Sequence, residues 1–150
     1  MCPEAINLKF LDHTSLEVTF RDGYVKRYDM ANLFDKYPQL KALEDRKLFL
    51  SGKLQSFGII WTDELDIAIE TIYEDGETIR IDDVPIATKV GCAVQVARCQ
   101  AGISQSELAK RTGINQADIS RIERGSANPS MATLDRIAKA LDAKLSITIE

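Results

Sequence analysis

A single histidine, His13, stands beside Asp12 in this 150-residue chain. An imidazole next to a carboxylate is the start of a general-base pair, but a working site also needs a nucleophile or second acid placed with it. No motif supplies one, and His13 reads as a loop histidine between two strands. Asp63, Glu64 and Asp66 have the ligand chemistry for a hard cation. Their spacing fits no calcium loop, so they read as solvated loop carboxylates. Cys2, Cys92 and Cys99 are not spaced as a metal-ligand set, and one histidine cannot complete them. Tyr24, Tyr28 and Trp61 either line a ligand or partner surface or fill a core. The residues thus offer no catalytic group, no metal site and no cofactor signature, and the chain is predicted not to be an enzyme.

What remains is binding. Apolar residues make up 45% and charged residues 28%, a globular balance. No apolar run reaches the ~18–20 residues of a membrane helix. The start, Met1-Cys2-Pro3-Glu4, lacks the basic and apolar regions of a secretory signal. Together with the sparse, odd cysteine count, this predicts reduced thiols, a cytoplasmic protein and no membrane partner. Net charge is −4, but it is unevenly spread. Residues 1–84 hold ten Lys/Arg and seventeen Asp/Glu, and residues 85–150 hold nine and six. An acidic part therefore precedes a mildly basic one, the sign that a polyanion would favour.

The elements that would position any binding residues fall into the same two parts. Ile6, Leu8 and Phe10 alternate with polar neighbours, as do Leu16, Val18 and Phe20. Asp22-Gly23 makes a tight turn into Tyr24–Tyr28, a hairpin signal. From Met30 to Leu50 the apolar spacing becomes helical, with Pro38 breaking it or opening a second helix. Phe57–Trp61 reads as a strand, Leu65–Ile67 as a short extension, and Ile69–Tyr73 as a helical turn or strand. Glu74–Glu77 looks like a turn and Asp82–Pro85 like the join. The division is an α+β domain over residues 1–76 with a small antiparallel sheet, a linker over 77–84, and an all-α bundle with a C-terminal strand over 85–150.

After the join the period is helical. Val90, Val94 and Ala97 line a first helix that Gly102 ends. Ser104 and Glu107 form a capping-box pattern at a second helix, Gln105–Thr112, with Leu108 and Ala109 inward. Gly113 gives a sharp turn. Asn115 caps a third helix, Gln116–Arg124, which buries Ile119 and Ile122 and ends at Gly125. Ser130 caps a fourth, which buries Met131, Leu134, Ile137, Ala138 and Leu141. Two short helices joined by a three-to-four-residue turn inside a helical bundle form a DNA-reading unit.

The run Gly102–Ala109, Gly113–Gln116, Ile119–Gly125 and Asn128-Pro129-Ser130 resembles the Xre/Cro family of phage-repressor-like helix-turn-helix regulators over about 60 residues. The resemblance implies that Gln116, Ala117, Ser120 and Arg121 face DNA bases. Glutamine pairs two-pronged with adenine, arginine with guanine, and an alanine methyl meets the thymine methyl. It further implies that Gln105, Arg124 and Ser126 contact phosphates, and that Arg98 and Glu123 form a structural ion pair. Asp118 lies on the same helix, either accepting from a cytosine amino group or facing solvent. Residues 5–75 resemble a small bacterial domain family of unknown function, on the strength of Leu16–Phe20, Asp22-Gly23, Arg27-Tyr28-Asp29 and Ile60-Trp61. Its members occur alone or fused to this type of helix-turn-helix.

At the C-terminus, Leu145, Ile147 and Ile149 alternate with polar residues, a strand that needs an edge to pair with. It pairs either with its twin across a dimer axis or with the N-terminal sheet. The dimer is preferred because a twofold pair matches palindromic operators with half-sites about 34 Å apart. The resulting expectation is a homodimeric double-stranded DNA-binding transcriptional regulator that represses its own operon. The family resemblance extends this to the antitoxin of a type II toxin–antitoxin pair, with the N-terminal part as sensor or toxin contact. The alternative is a protein-interaction scaffold whose helix-turn-helix does not bind DNA.

Overall fold

The structure is a computed structural model that describes residues 3–150. It divides into two compact units, with the boundary between Asp83 and Val84.

In the N-terminal unit, strands β1 (Ala5–Phe10), β2 (Ser15–Phe20) and β3 (Tyr24–Asp29) form an antiparallel meander. Gly23, at φ 99°, carries the turn between β2 and β3. Leu16, Val18 and Phe20 all point into the core, as the alternation requires, while Glu17 and Thr19 take the other face. Residues 30–50 are helical, but mainly as 3-10 turns, Met30–Leu33 and Pro38–Glu44, followed by α1 (Arg46–Phe49). Pro38 sits at the start of its turn, where its missing N–H costs no hydrogen bond. A second sheet contains β4 (Lys53–Gln55), β5 (Gly58–Thr62) and β6 (Leu65–Ala68), and leads into α2 (Ile69–Asp75). Trp61 lies against Phe49 with ring centroids 6.2 Å apart, and its Nε1–H donates to the Phe49 carbonyl at 2.8 Å.

The segment expected as a linker is in large part a strand. β7 (Glu77–Ile81) pairs antiparallel with β3, giving the order β1-β2-β3-β7, and the N-terminal unit runs on to Asp83. All five residues of β7 are exposed. An edge strand held by backbone hydrogen bonds to one neighbour needs no buried side-chain face, and Ile79 and Ile81 both stay exposed.

The C-terminal unit holds α3 (Ile86–Gln100), α4 (Gln105–Thr112), α5 (Gln116–Glu123) and α6 (Met131–Ala140). Val94, Leu108, Ile119, Ile122, Ile137 and Leu141 form its core. Burying each such side chain is worth roughly 1.5–3 kcal/mol. Ser104, Asn115 and Ser130 each cap the helix that follows them. Only half of the expected capping box is made. The Ser104 hydroxyl accepts the Glu107 N–H, while the Glu107 carboxylate turns to Arg111 at 3.0 Å.

Two further expectations change. Met131, expected inside, is 69% exposed. It is the first residue of α6, one position past the cap, where the helix has not yet met the core. Residues 143–150 take no regular structure and lie in neither sheet, so Leu145, Ile147 and Ile149 form no strand within one chain. An isolated strand has nothing to satisfy its backbone. Among the described residues, no helix is long and apolar enough to cross a membrane.

Candidate nucleic-acid interface

The geometry of α5 begins in the turn before it. Gly113 ends α4 at φ 71°, a left-handed conformation that costs a side-chain-bearing residue strain. Thr112 closes the turn from inside. Its hydroxyl donates to the Leu108 carbonyl at 2.7 Å and accepts the Ile114 N–H at 3.2 Å. Arg136 of α6 donates to the Thr112 carbonyl at 3.3 Å, satisfying one of the open acceptors at the end of α4. The Asn115 side chain then accepts the Ala117 N–H at 2.8 Å and starts α5.

Once started, α5 separates its residues cleanly. Ile119, Ile122 and Glu123 are buried. Gln116, Ala117, Arg121 and Arg124 are exposed, and Ser120 is half-buried. At ~100° per residue the last five share one arc of about 140°, opposite the buried three. The structure thus brings the four expected base-facing residues, with Arg124, onto one accessible face. On the buried side, Gly91 of α3 lets the helices touch. A Cβ there would lie 2.3 Å from the Ile122 carbonyl oxygen and 2.6 Å from that of Glu123.

Glu123 is the electrostatic anchor. Its carboxylate accepts from Arg98 Nε at 2.6 Å and from Arg98 Nη2 at 3.0 Å. Arg98 Nη1 also donates to the Ile103 carbonyl at 2.9 Å. The Glu123 side chain is only 3% exposed, and its charge is tolerated there because the two-pronged guanidinium meets both oxygens. A third donor joins them, Gln105 Nε2, at 2.9 Å from Glu123 Oε2.

The expected phosphate contacts therefore differ from one another. Gln105 commits one of its two amide hydrogens to Glu123. The Ser126 hydroxyl donates to the Arg121 carbonyl at 3.2 Å, and the Ser126 N–H donates to the same oxygen at 3.0 Å. Arg124 is exposed, with no side-chain partner among the described residues. Asp118, whose sequence position allows either a cytosine contact or a solvent-facing carboxylate, pairs with Arg121, three residues on. An acid and a base at i, i+3 on a helix signal such a pair.

The tail borders an apolar groove. Ile147 is 58% and Ile149 96% exposed, while Leu145 is half-buried. Leu145 and Ile147, with Val90 and Val94 of α3 and Leu134 and Met131 of α6, line a groove of about 640 Å³.

The N-terminal candidates fall apart as a site. His13 is exposed in the β1–β2 loop, where its carbonyl accepts from Arg46 at 2.8 Å. Asp63, Glu64 and Asp66 are exposed, and no metal-binding cluster occurs among the described residues. Tyr28 and Trp61 are core, and Tyr24 is half-buried at the core's edge, near Tyr73. Burial, then the nearby Asp75 and Asp29, raise the Tyr28 phenol above the ordinary 10.0. Cys92 and Cys99 both lie on α3, and Cys2 lies outside the described residues.

A bundle in which two short helices meet across a glycine turn, the second anchored inward and open outward, defines a helix-turn-helix unit, and residues 94–147 match the helix-turn-helix family. The chain belongs to the family described as protein of unknown function (DUF2442), whose match spans residues 5–79. It is 36% identical over 70 residues to antitoxin HigA1 of Mycobacterium tuberculosis (strain H37Rv), covering 47% of each chain. It is 37% identical over 60 residues to antitoxin HipB of Escherichia coli (strain K12), covering 40% of this chain and 68% of that one. The chain spans about half the length of the HigA1 relatives it matches. Among solved structures, it resembles the restriction-modification controller protein C.AhdI from Aeromonas hydrophila, with a TM-score of 0.39 and 30% identity over 39% of this chain and 89% of that one.

Proposed function

We propose that the chain is a sequence-specific double-stranded DNA-binding regulator that represses its own operon as a homodimer. The observation that carries this is the division of α5: Ile119, Ile122 and Glu123 fix it from inside, while Gln116, Ala117, Ser120, Arg121 and Arg124 share the open arc. That arc carries the donors and the methyl group that base edges in a major groove call for. The excess of Lys/Arg over Asp/Glu in residues 85–150 supports it. The groove beside the tail supports a twofold pair in which Leu145, Ile147 and Ile149 find the partner they lack in one chain.

The similarity to HigA1 and HipB supports a second role, as antitoxin of a type II pair. In this reading the acidic N-terminal unit, repelled by phosphates, holds the toxin. The setting is the cytoplasm, and no catalytic step is involved. A scaffold without DNA is the rival, favoured by the internal hydrogen bonds of Gln105 and Ser126.

The test is a titration of the full chain against DNA from immediately upstream of its gene and against random DNA, at two salt concentrations, beside Arg121→Ala. Tight, salt-sensitive binding to the upstream DNA, weakened in the variant, supports the regulator. Equal and weak binding to both DNAs sinks it and leaves the scaffold.

A further inference from the structure

A carboxylate on a face meant for a polyanion is a cost unless it has a task. Asp118 is such a carboxylate: it lies beside the open arc of α5, its side chain 48% exposed, and its Oδ1 accepts from Nη2 of Arg121. Resting on the DNA-reading function proposed above, we infer that Asp118 is a positioning residue, which holds the Arg121 guanidinium so that its remaining edge reads guanine.

The chemistry supports this. A guanidinium has five N–H donors in a rigid planar fork. Guanine presents two acceptors side by side, O6 and N7, and a two-pronged contact uses only one edge of the fork. Asp118 engages one hydrogen on Nη2, which leaves two parallel N–H groups for the base. A long, free arginine samples many rotamers and is drawn to phosphates, which carry no sequence information. Tying one corner of the fork to the helix restricts those rotamers and opposes the swing to the backbone. It also neutralises the carboxylate, so that Asp118 does not repel the DNA. The i, i+3 spacing keeps the tie within a single helix, so it is already in place before DNA arrives.

The experiment first selects preferred duplexes from a random pool with the full wild-type chain. Affinities are then measured for that duplex and for each of its single-base-pair variants, using wild type, Asp118→Asn and Arg121→Ala. The wild type should prefer guanine at one position by about tenfold or more. Asp118→Asn should lose most of that preference at that position alone, with binding to random DNA unchanged or stronger. Arg121→Ala should lose preference at the same position. Thermal unfolding by circular dichroism checks that both variants fold, and a merely structural loss would weaken every duplex alike. If Asp118→Asn keeps the wild-type preference at every position, the buttress is wrong. If the wild type selects no sequence at all, the DNA-reading function itself falls, and the buttress with it.

Discussion

Glu123 of α5 receives both prongs of Arg98 from α3, at 2.6 and 3.0 Å, so that one buried ion pair sets α5 against the first helix of its unit. The carboxylate is nearly inaccessible, and its removal strands the guanidinium rather than releasing it to water. Glu123→Ala should destabilise the C-terminal unit by about 3–5 kcal/mol. An apolar double replacement, Arg98→Met with Glu123→Leu, should cost much less. Urea titrations of wild type, Glu123→Ala and the double replacement measure the difference.

Gly91 tests the same contact by shape instead of charge. A Cβ at 2.3 Å from one carbonyl oxygen and 2.6 Å from another forces α3 and α5 apart. Gly91→Ala should lose about 1–3 kcal/mol or more through overpacking, despite alanine's higher helix propensity. A lowered denaturation midpoint at unchanged slope is the expected readout. A midpoint equal to or above wild type would mean that the helices accommodate the methyl group.

Arg124 and Arg121 should separate in their salt dependence. Arg124, at the C-terminal end of α5, is exposed with no side-chain partner among the described residues, and the proposed function gives it a phosphate. Arg124→Ala should weaken binding to all duplexes alike and reduce the log–log salt slope by about 1. Arg121→Ala should cost about 1–3 kcal/mol, mostly on the preferred sequence. Equal salt slopes for wild type and Arg124→Ala would remove Arg124 from the phosphate contacts.

Deleting Leu145–Glu150 should give monomers by analytical ultracentrifugation, with weaker operator binding. The tail is unpaired within one chain, and two of its apolar residues are largely exposed. A truncated chain that stays dimeric would place the twofold contact elsewhere.

Tyr28 makes the N-terminal unit sensitive to alkali. Burial disfavours its phenolate, and Asp75 and Asp29 add to the effect, so the folded group ionises above the ordinary 10.0. The raised value means that the folded state holds the proton more tightly than the unfolded one. Its contribution is complete below pH 10 and fades as pH climbs through the unfolded and then the folded value. Thermal melts followed by near-ultraviolet circular dichroism should show this decline, and Tyr28→Phe should flatten it.

The helix-turn-helix was legible because its signals are local. Ser104, Gly113, Asn115 and Ser130 each act within three or four residues of themselves, and the structure places each as cap or turn. The β2–β3 hairpin was legible for the same reason, through Asp22-Gly23. β7 was not, because its partner β3 lies some fifty residues upstream and the pairing runs through the backbone. Met131 followed the helical period but sits a turn ahead of the core. The open arc of α5 was legible from the positions of Ile119 and Ile122 on its other face, whereas the expectation that it meets bases came from resemblance to a family. Asp118 shows the limit of that route: its partner on the next turn was readable, but its role depends on what Arg121 does.

The chain's one tryptophan is sealed in the N-terminal core, stacked on Phe49 and bonded to its carbonyl. Its emission is therefore a private signal of that unit, while the helical ellipticity comes largely from the other. A melt recorded by both optical channels would time the two halves separately in one cuvette. Quenching or a spectral shift on adding DNA would then report that the news had crossed the junction at Val84.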